Sequence, residues 1–143
     1  MSPRNDIALI TGAGSGIGRA VALALQADGY SVVLAGRTPD SLQQTAAAMD
    51  SSGGRTLVCP ADVSEPAAVD NLFAETAQTF GRLDLLFNNA GLWPPAIPIE
   101  DLSYEEWQEA VNVNLTGSFL CAQAAIRLMK SQNPRGGRII NNG

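Results

Sequence analysis

The sequence contains no histidine, so every mechanism that needs an imidazole is excluded. Lysine is almost as scarce: Lys130 is the only one in 143 residues. Nine basic residues against fourteen acidic ones leave a net charge of −5. No run of Lys or Arg exists to track a phosphate backbone, which argues against a nucleic-acid partner. Cysteine is limited to Cys59 and Cys121, each in a core-like segment and neither in a CxxC pair. Two reduced, buried thiols are the expectation. The N-terminal stretch MSPRNDIALITGAG has no apolar run long enough for a signal peptide or a membrane span. A cytoplasmic protein with no membrane partner is therefore expected. No internal repeat, low-complexity tract or second domain interrupts residues 1–143, and the loop Leu92–Pro98 is too short and apolar for a linker. An apolar share of 45% with 16% charged residues suits one domain with a real core.

Short β-rich runs alternate with longer helical ones. Strands are predicted at Ile7–Ile10, Ser31–Ala35, Thr56–Cys59, Leu83–Phe87 and Arg138–Ile140. They are nearly continuous apolar runs, as central parallel strands covered on both faces should be. Helices are predicted from about Gly16 to Asp28, stopped by Gly29; from the Thr38-Pro39 start; and from Ser64-Glu65-Pro66 to Gly81. A fourth opens with Ser103-Tyr104-Glu105-Glu106, a capping-box pattern. It carries Trp107, Val111, Leu115, Phe119, Ala122, Ile126 and Met129 at spacings of 4, 4, 4, 3, 4 and 3. That periodicity predicts one buried stripe on a long helix reaching Ser131. The order βαβαβαβαβ predicts an α/β fold, a Rossmann-type doubly wound parallel sheet with strand order 3-2-1-4-5.

The first strand runs into Thr11-Gly12-Ala13-Gly14-Ser15-Gly16-Ile17-Gly18, and a helix follows. Glycines there allow a tight turn and a close approach of the backbone to a pyrophosphate, and the helix N-terminus offers free N–H groups. The placement within a βαβ unit is what gives the motif its force. The alternative is a Gly-rich turn that holds nothing. The second strand ends in Ala35-Gly36-Arg37, where an acidic residue would accept ribose hydroxyls. Gly36 leaves room and Arg37 can pair with a 2′-phosphate, which favours NADP over NAD. A plain surface arginine at a strand end is the other reading.

Together with Asp62 after the third strand, Asn88-Asn89-Ala90-Gly91 after the fourth, and Asn112-Val113-Asn114-Leu115-Thr116-Gly117 in the long helix, the TGAGSGIG motif resembles the short-chain dehydrogenase/reductase family. The likeness runs through all 143 residues in the family's order. It implies hydride transfer between a nicotinamide cofactor and an alcohol/carbonyl pair. It implies that Asp62 and Val63 lie against the adenine, that Asn89, Ala90 and Gly91 back the cofactor ribose, and that Asn114 belongs to a proton relay through water. From the residues alone, Asn114 and Gly117 are poor choices for a helix interior and read as an irregularity tolerated for function. Asn112, two positions away, points to a different face. The Asn-rich turn is also readable as a simple strand-to-loop turn.

The chain departs from the family where the chemistry should be. The family uses a Tyr with a Lys four residues later, and a Ser before them. Here Leu34 lies four residues after Tyr30 and Gln108 four after Tyr104, so neither pair exists. An N-terminal portion, inactive by itself, is the expectation. The resemblance further implies a homo-oligomer when full length, built on the long helix. Many NADP-using members carry a second basic residue where this chain has Ser15. The rival readings are a non-catalytic dinucleotide-binding or interaction protein, and a damaged product without a stable fold.

Overall fold

The computed structural model describes residues 5–143, so the first four residues of the N-terminal stretch lie outside the described residues. Five strands form one parallel sheet: β1 (Ile7–Thr11), β2 (Ser31–Gly36), β3 (Thr56–Pro60), β4 (Leu85–Asn88) and β5 (Arg138–Asn141). Their order is β3-β2-β1-β4-β5, as expected. In the central register Leu9 lies opposite both Val33 and Leu86. The connections are α1 (Gly16–Ala27), α2 (Pro39–Ala47) and α3 (Pro66–Phe80), then α4 (Tyr104–Val111) and α5 (Ser118–Ser131) before β5.

Side-chain alternation along the strands divides the core in two. Leu9, Val33, Ala35 and Leu86 pack with Val69, Leu72, Val113, Cys121 and Ala125 on the face carrying α3 and α5. Ala8, Ile10, Val32, Leu34 and Phe87 pack with Ala22 and Leu42 on the face carrying α1 and α2. Both faces are covered, which is why these strands carry no polar alternation. Cys59 and Cys121 are free and buried.

The helix ends follow local chemistry. Ser103 Oγ accepts from the Glu106 N–H at 3.1 Å and Glu106 Oε2 accepts from the Ser103 N–H at 3.0 Å, completing the expected capping box. Gly81 takes φ +78° and donates its N–H to Ala77 O, the left-handed cap that stops α3. The start of α2 lies where expected. Thr38 occupies the cap position without a side-chain cap bond, and Pro39 follows it. Glu65 precedes α3 as the cap residue, and Ser64 Oγ donates to Asp62 Oδ1.

The long helix overturns the stripe expectation. Of its seven periodic residues only Met129 is buried; Val111 and Ala122 are half-buried, and Trp107, Leu115, Phe119 and Ile126 are exposed. The buried row is instead Ala110, Val113, Gly117, Cys121, Ala125 and Met129. Small residues there bring the helix down close: a Cβ on Gly117 would stand 2.6 Å from Val63 Cγ2. The largest apolar side chains are thereby left on the outer face. The helix is also broken into three parts, because Asn112–Gly117 forms a π-helical segment between α4 and α5. The irregularity read from Asn114 and Gly117 is this segment, and such π segments often mark functional sites.

Candidate functional site

The strand order reverses between β1 and β4, and the C-terminal ends of these strands open onto a cleft, where α/β sheets usually bind ligands. The cleft has a volume of about 610 Å³. Gly12, Ser15, Gly16 and Ile17 form one wall, Asn89, Ala90 and Gly91 another, and Asn114 closes the far side. Gly12, Ala90 and Gly91 also border a narrower recess of about 90 Å³ holding Gly36, Arg37, Asp62 and Val63. Arg37 and Asp62 then border an outer depression of about 320 Å³ beneath α4. The three recesses share lining residues and lie side by side along the tips of β1, β2, β3 and β4.

The Gly-rich turn performs three separate tasks. Gly12 and Gly16 take φ of +63° and +53°, conformations that side chains with a Cβ rarely adopt. Gly18 lies under the first turn of α1, where a Cβ would meet Gly12 O at 2.1 Å. Gly16 faces open space: a Cβ there would meet nothing within 4 Å. The Ser15 side chain makes no cap bond, so the first N–H groups of α1 have no partner within the helix. This cradle suits a diphosphate: free donors, a positive helix end and no side chain in the way.

Four predicted residues brace the walls of the groove. Thr11 is buried; its Oγ1 donates to Phe87 O and accepts from the Asn89 and Ala90 N–H groups, both at 2.9 Å. It fixes the tip of β4 against β1 and lines neither recess. Gly14 sits against Ser41, and Gly18 packs against Gly12. Asn89 Nδ2 donates to Thr11 O and Gly12 O, so it ties the Gly-rich turn to the neighbouring strand.

Asn114 uses both polar atoms of its side chain on one residue. Its Oδ1 accepts from the Leu92 N–H at 2.7 Å and its Nδ2 donates to Leu92 O at 2.8 Å. This clamp fastens the loop after β4 to the π segment. The Asn114 carbonyl accepts from Ser118 Oγ at 2.9 Å. Asn112 faces the outer depression instead and accepts from Gln108 Nε2. The two asparagines therefore serve different recesses, as their spacing predicts.

Sequence reading missed several neighbours. Arg19, directly after Gly18, donates to Gly14 O, Ser41 O and Thr45 Oγ1, binding the Gly-rich turn to α2. Ser118, Asn142 and Gly143 line the main cleft. Asn142 Nδ2 donates to Asn89 Oδ1, a contact between positions too distant in sequence for spacing to reveal. Both thiols are free and buried. Burial pushes Cys59 up to about 12, helped by a hydrogen bond to Glu75 and by its charge, and burial alone pushes Cys121 to about 12. No group of metal-ligating side chains exists among the described residues. None of the helices there is long and apolar enough to cross a membrane.

The chain belongs to the short chain dehydrogenase family, whose pattern it matches over residues 6–143. It is 39% identical over 135 residues to a 3beta-hydroxysteroid dehydrogenase of Mediterraneibacter gnavus, covering 94% of this chain and 48% of that protein. It is 40% identical over 141 residues to a short chain dehydrogenase/reductase of Aspergillus oryzae, covering 98% of this chain and 54% of the relative. Among solved structures, NAD+-bound xylitol dehydrogenase superposes with a TM-score of 0.91 at 31% identity, over 99% of this chain and 54% of the other. The chain thus spans about half the length of the relatives it matches.

Proposed function

We propose that this chain is the cofactor-binding portion of an NAD(P)-dependent oxidoreductase that interconverts an alcohol and a carbonyl compound. The observation that carries the reading is the pair of adjoining recesses, sharing Gly12, Ala90 and Gly91, that extends from Asn114 past the Gly16 turn to Arg37 and Asp62. A nicotinamide dinucleotide, when bound, supplies the hydride chemistry. The chain's own residues do the holding. The N–H groups at Ser15–Gly18 receive the diphosphate, Asn89–Gly91 back a ribose, and Asp62 and Val63 border the adenine recess. Arg37 faces the position of a 2′-phosphate, which makes NADP the preferred form.

In this reading Asn114 keeps the loop after β4 in place through Leu92 and takes part in a proton relay through water. No tyrosine of the chain has a lysine four residues later, so the 143 residues by themselves turn over no alcohol or ketone. The complete enzyme forms a homo-oligomer through the outer face of α4 and α5, and acts in the cytoplasm. A thermal-stability scan with and without NADPH tests the binding claim. Millimolar NADPH should raise the midpoint by several degrees, since a ligand that binds only the native state stabilises it. An unchanged midpoint would refute the assignment. Binding without turnover in a protein extended through a Tyr-x-x-x-Lys segment would instead favour a non-catalytic dinucleotide-binding protein.

A further inference from the structure

Arg37 has a carboxylate partner from a distant part of the chain. Its Nη1 lies 3.9 Å from Glu109 Oε1 on α4, and both side chains are about half exposed. Glu109, Glu105 and Asp62 all border the outer depression with Arg37. The three acids are not equivalent. Asp62 Oδ1 already accepts from Ser64 N and Ser64 Oγ, at 3.0 and 2.7 Å. Glu109 is the carboxylate directed at the guanidinium.

We infer that Glu109 is a specificity-determining residue that competes with the 2′-phosphate of NADP for Arg37, narrowing the preference for NADP over NAD. The inference rests on the proposed placement of the adenosine end beside Arg37. A phosphate monoester carries a charge of roughly −1.5 to −2 near neutral pH. Entering here, it meets one guanidinium already turned toward a carboxylate, with further acids alongside. Arg37 must leave Glu109 or share its donors, and the phosphate approaches against the Glu109 charge. NAD presents no phosphate at that position, so its binding does not depend on this competition. Glu109 thus acts through Arg37 as a positioning residue with a selective effect.

The test is calorimetric titration of NADP and of NAD into the 143-residue chain and its variants at low salt. Glu109→Gln keeps the shape and removes the charge. It should tighten NADP by up to about fivefold, the range of an exposed ion pair, and leave NAD within about twofold. The gain should shrink as salt is added. Glu109→Asp, which retains the charge, should stay closer to the parent ratio. A merely structural role for Glu109 would move both cofactors together, and that result, or no change, would overturn the inference. Arg37→Ala separates the two levels of the argument. Selective loss of NADP affinity in Arg37→Ala with an unchanged ratio in Glu109→Gln defeats the role of Glu109 alone. An unchanged ratio in Arg37→Ala removes the phosphate site itself.

Discussion

Gly16 and Gly18 stand two residues apart in one turn, yet a side chain at each is penalised for a different reason. A Cβ on Gly18 would lie 2.1 Å from Gly12 O and 2.6 Å from Asn89 Nδ2. Either α1 moves by roughly an ångström or the Gly-rich turn deforms. Overpacking of this kind costs about 1–3 kcal/mol, occasionally more. A Cβ on Gly16 meets nothing, so the cost of Gly16→Ala is the left-handed backbone at φ +53°, about 1–2 kcal/mol. Near this chain length each kcal/mol moves the melting midpoint by about 3–4 °C. Gly18→Ala should therefore lower the midpoint by up to about 10 °C, and Gly16→Ala by up to about 7 °C. The informative readout is the additional shift caused by NADPH. The methyl of Gly16→Ala projects into the open space in front of the α1 N-terminus, so most of that shift should vanish. Differential scanning fluorimetry of both variants, with and without cofactor, measures all four quantities. A full NADPH shift in Gly16→Ala would show that the space is not where the diphosphate sits. A Gly18→Ala midpoint within about 1 °C of the parent would refute the packing argument.

Homogeneous 143-residue protein should show no alcohol- or ketone-dependent change in nicotinamide absorbance above background, because no Tyr–Lys pair is present; turnover would contradict this. Trp107, Leu115, Phe119 and Ile126 are 48–68% exposed on the outer face of α4 and α5, so the chain should self-associate. Light scattering during size-exclusion chromatography would contradict this by showing a clean monomer at about tens of micromolar. Stability should fall in alkali. The unfolded thiols titrate near 9.0 while Cys59 and Cys121 are held near 12, so their contribution is complete below about pH 9 and is lost as the pH rises toward 12. Cys59→Ala combined with Cys121→Ala should flatten the midpoint–pH curve above pH 9; an unchanged slope would count against buried thiols as the cause.

Strand order was legible because the apolar runs and helix punctuation alternate without a gap, and crossover handedness leaves few topologies. The Gly-rich turn was legible because its meaning is local. The burial of the long helix was not. Its outer face is more hydrophobic than its inner one, since Ala110, Gly117, Cys121 and Ala125 must be small to let the helix approach the core. A periodicity argument that ranks faces by hydrophobicity selects the wrong side in that case. The π segment was half legible: Asn114 and Gly117 signal an irregular helix, but the clamp on Leu92 needs the loop placed in space. Arg37 directly follows β2 and borders the recess with Asp62. Its partner Glu109 is a surface residue of a helix that only the tertiary fold brings near. Thr11 lies inside the recognised motif, yet its work is to join β1 to β4 from beneath, which spacing does not distinguish from contact with a ligand.

The central claim is that the groove between the tips of β1 and β4 receives a dinucleotide with its diphosphate at the start of α1. Hydrogen–deuterium exchange of the 143-residue chain, with and without saturating NADP, tests it at peptide resolution and tolerates self-association. Protection is predicted in peptides covering Gly12–Gly18, the Arg37 turn, Asp62–Val63 and Asn89–Gly91, with little change in α3. Protection confined to the apolar depression of about 510 Å³ lined by Ile126, Met129 and Ile139, or no protection at all, would contradict the account.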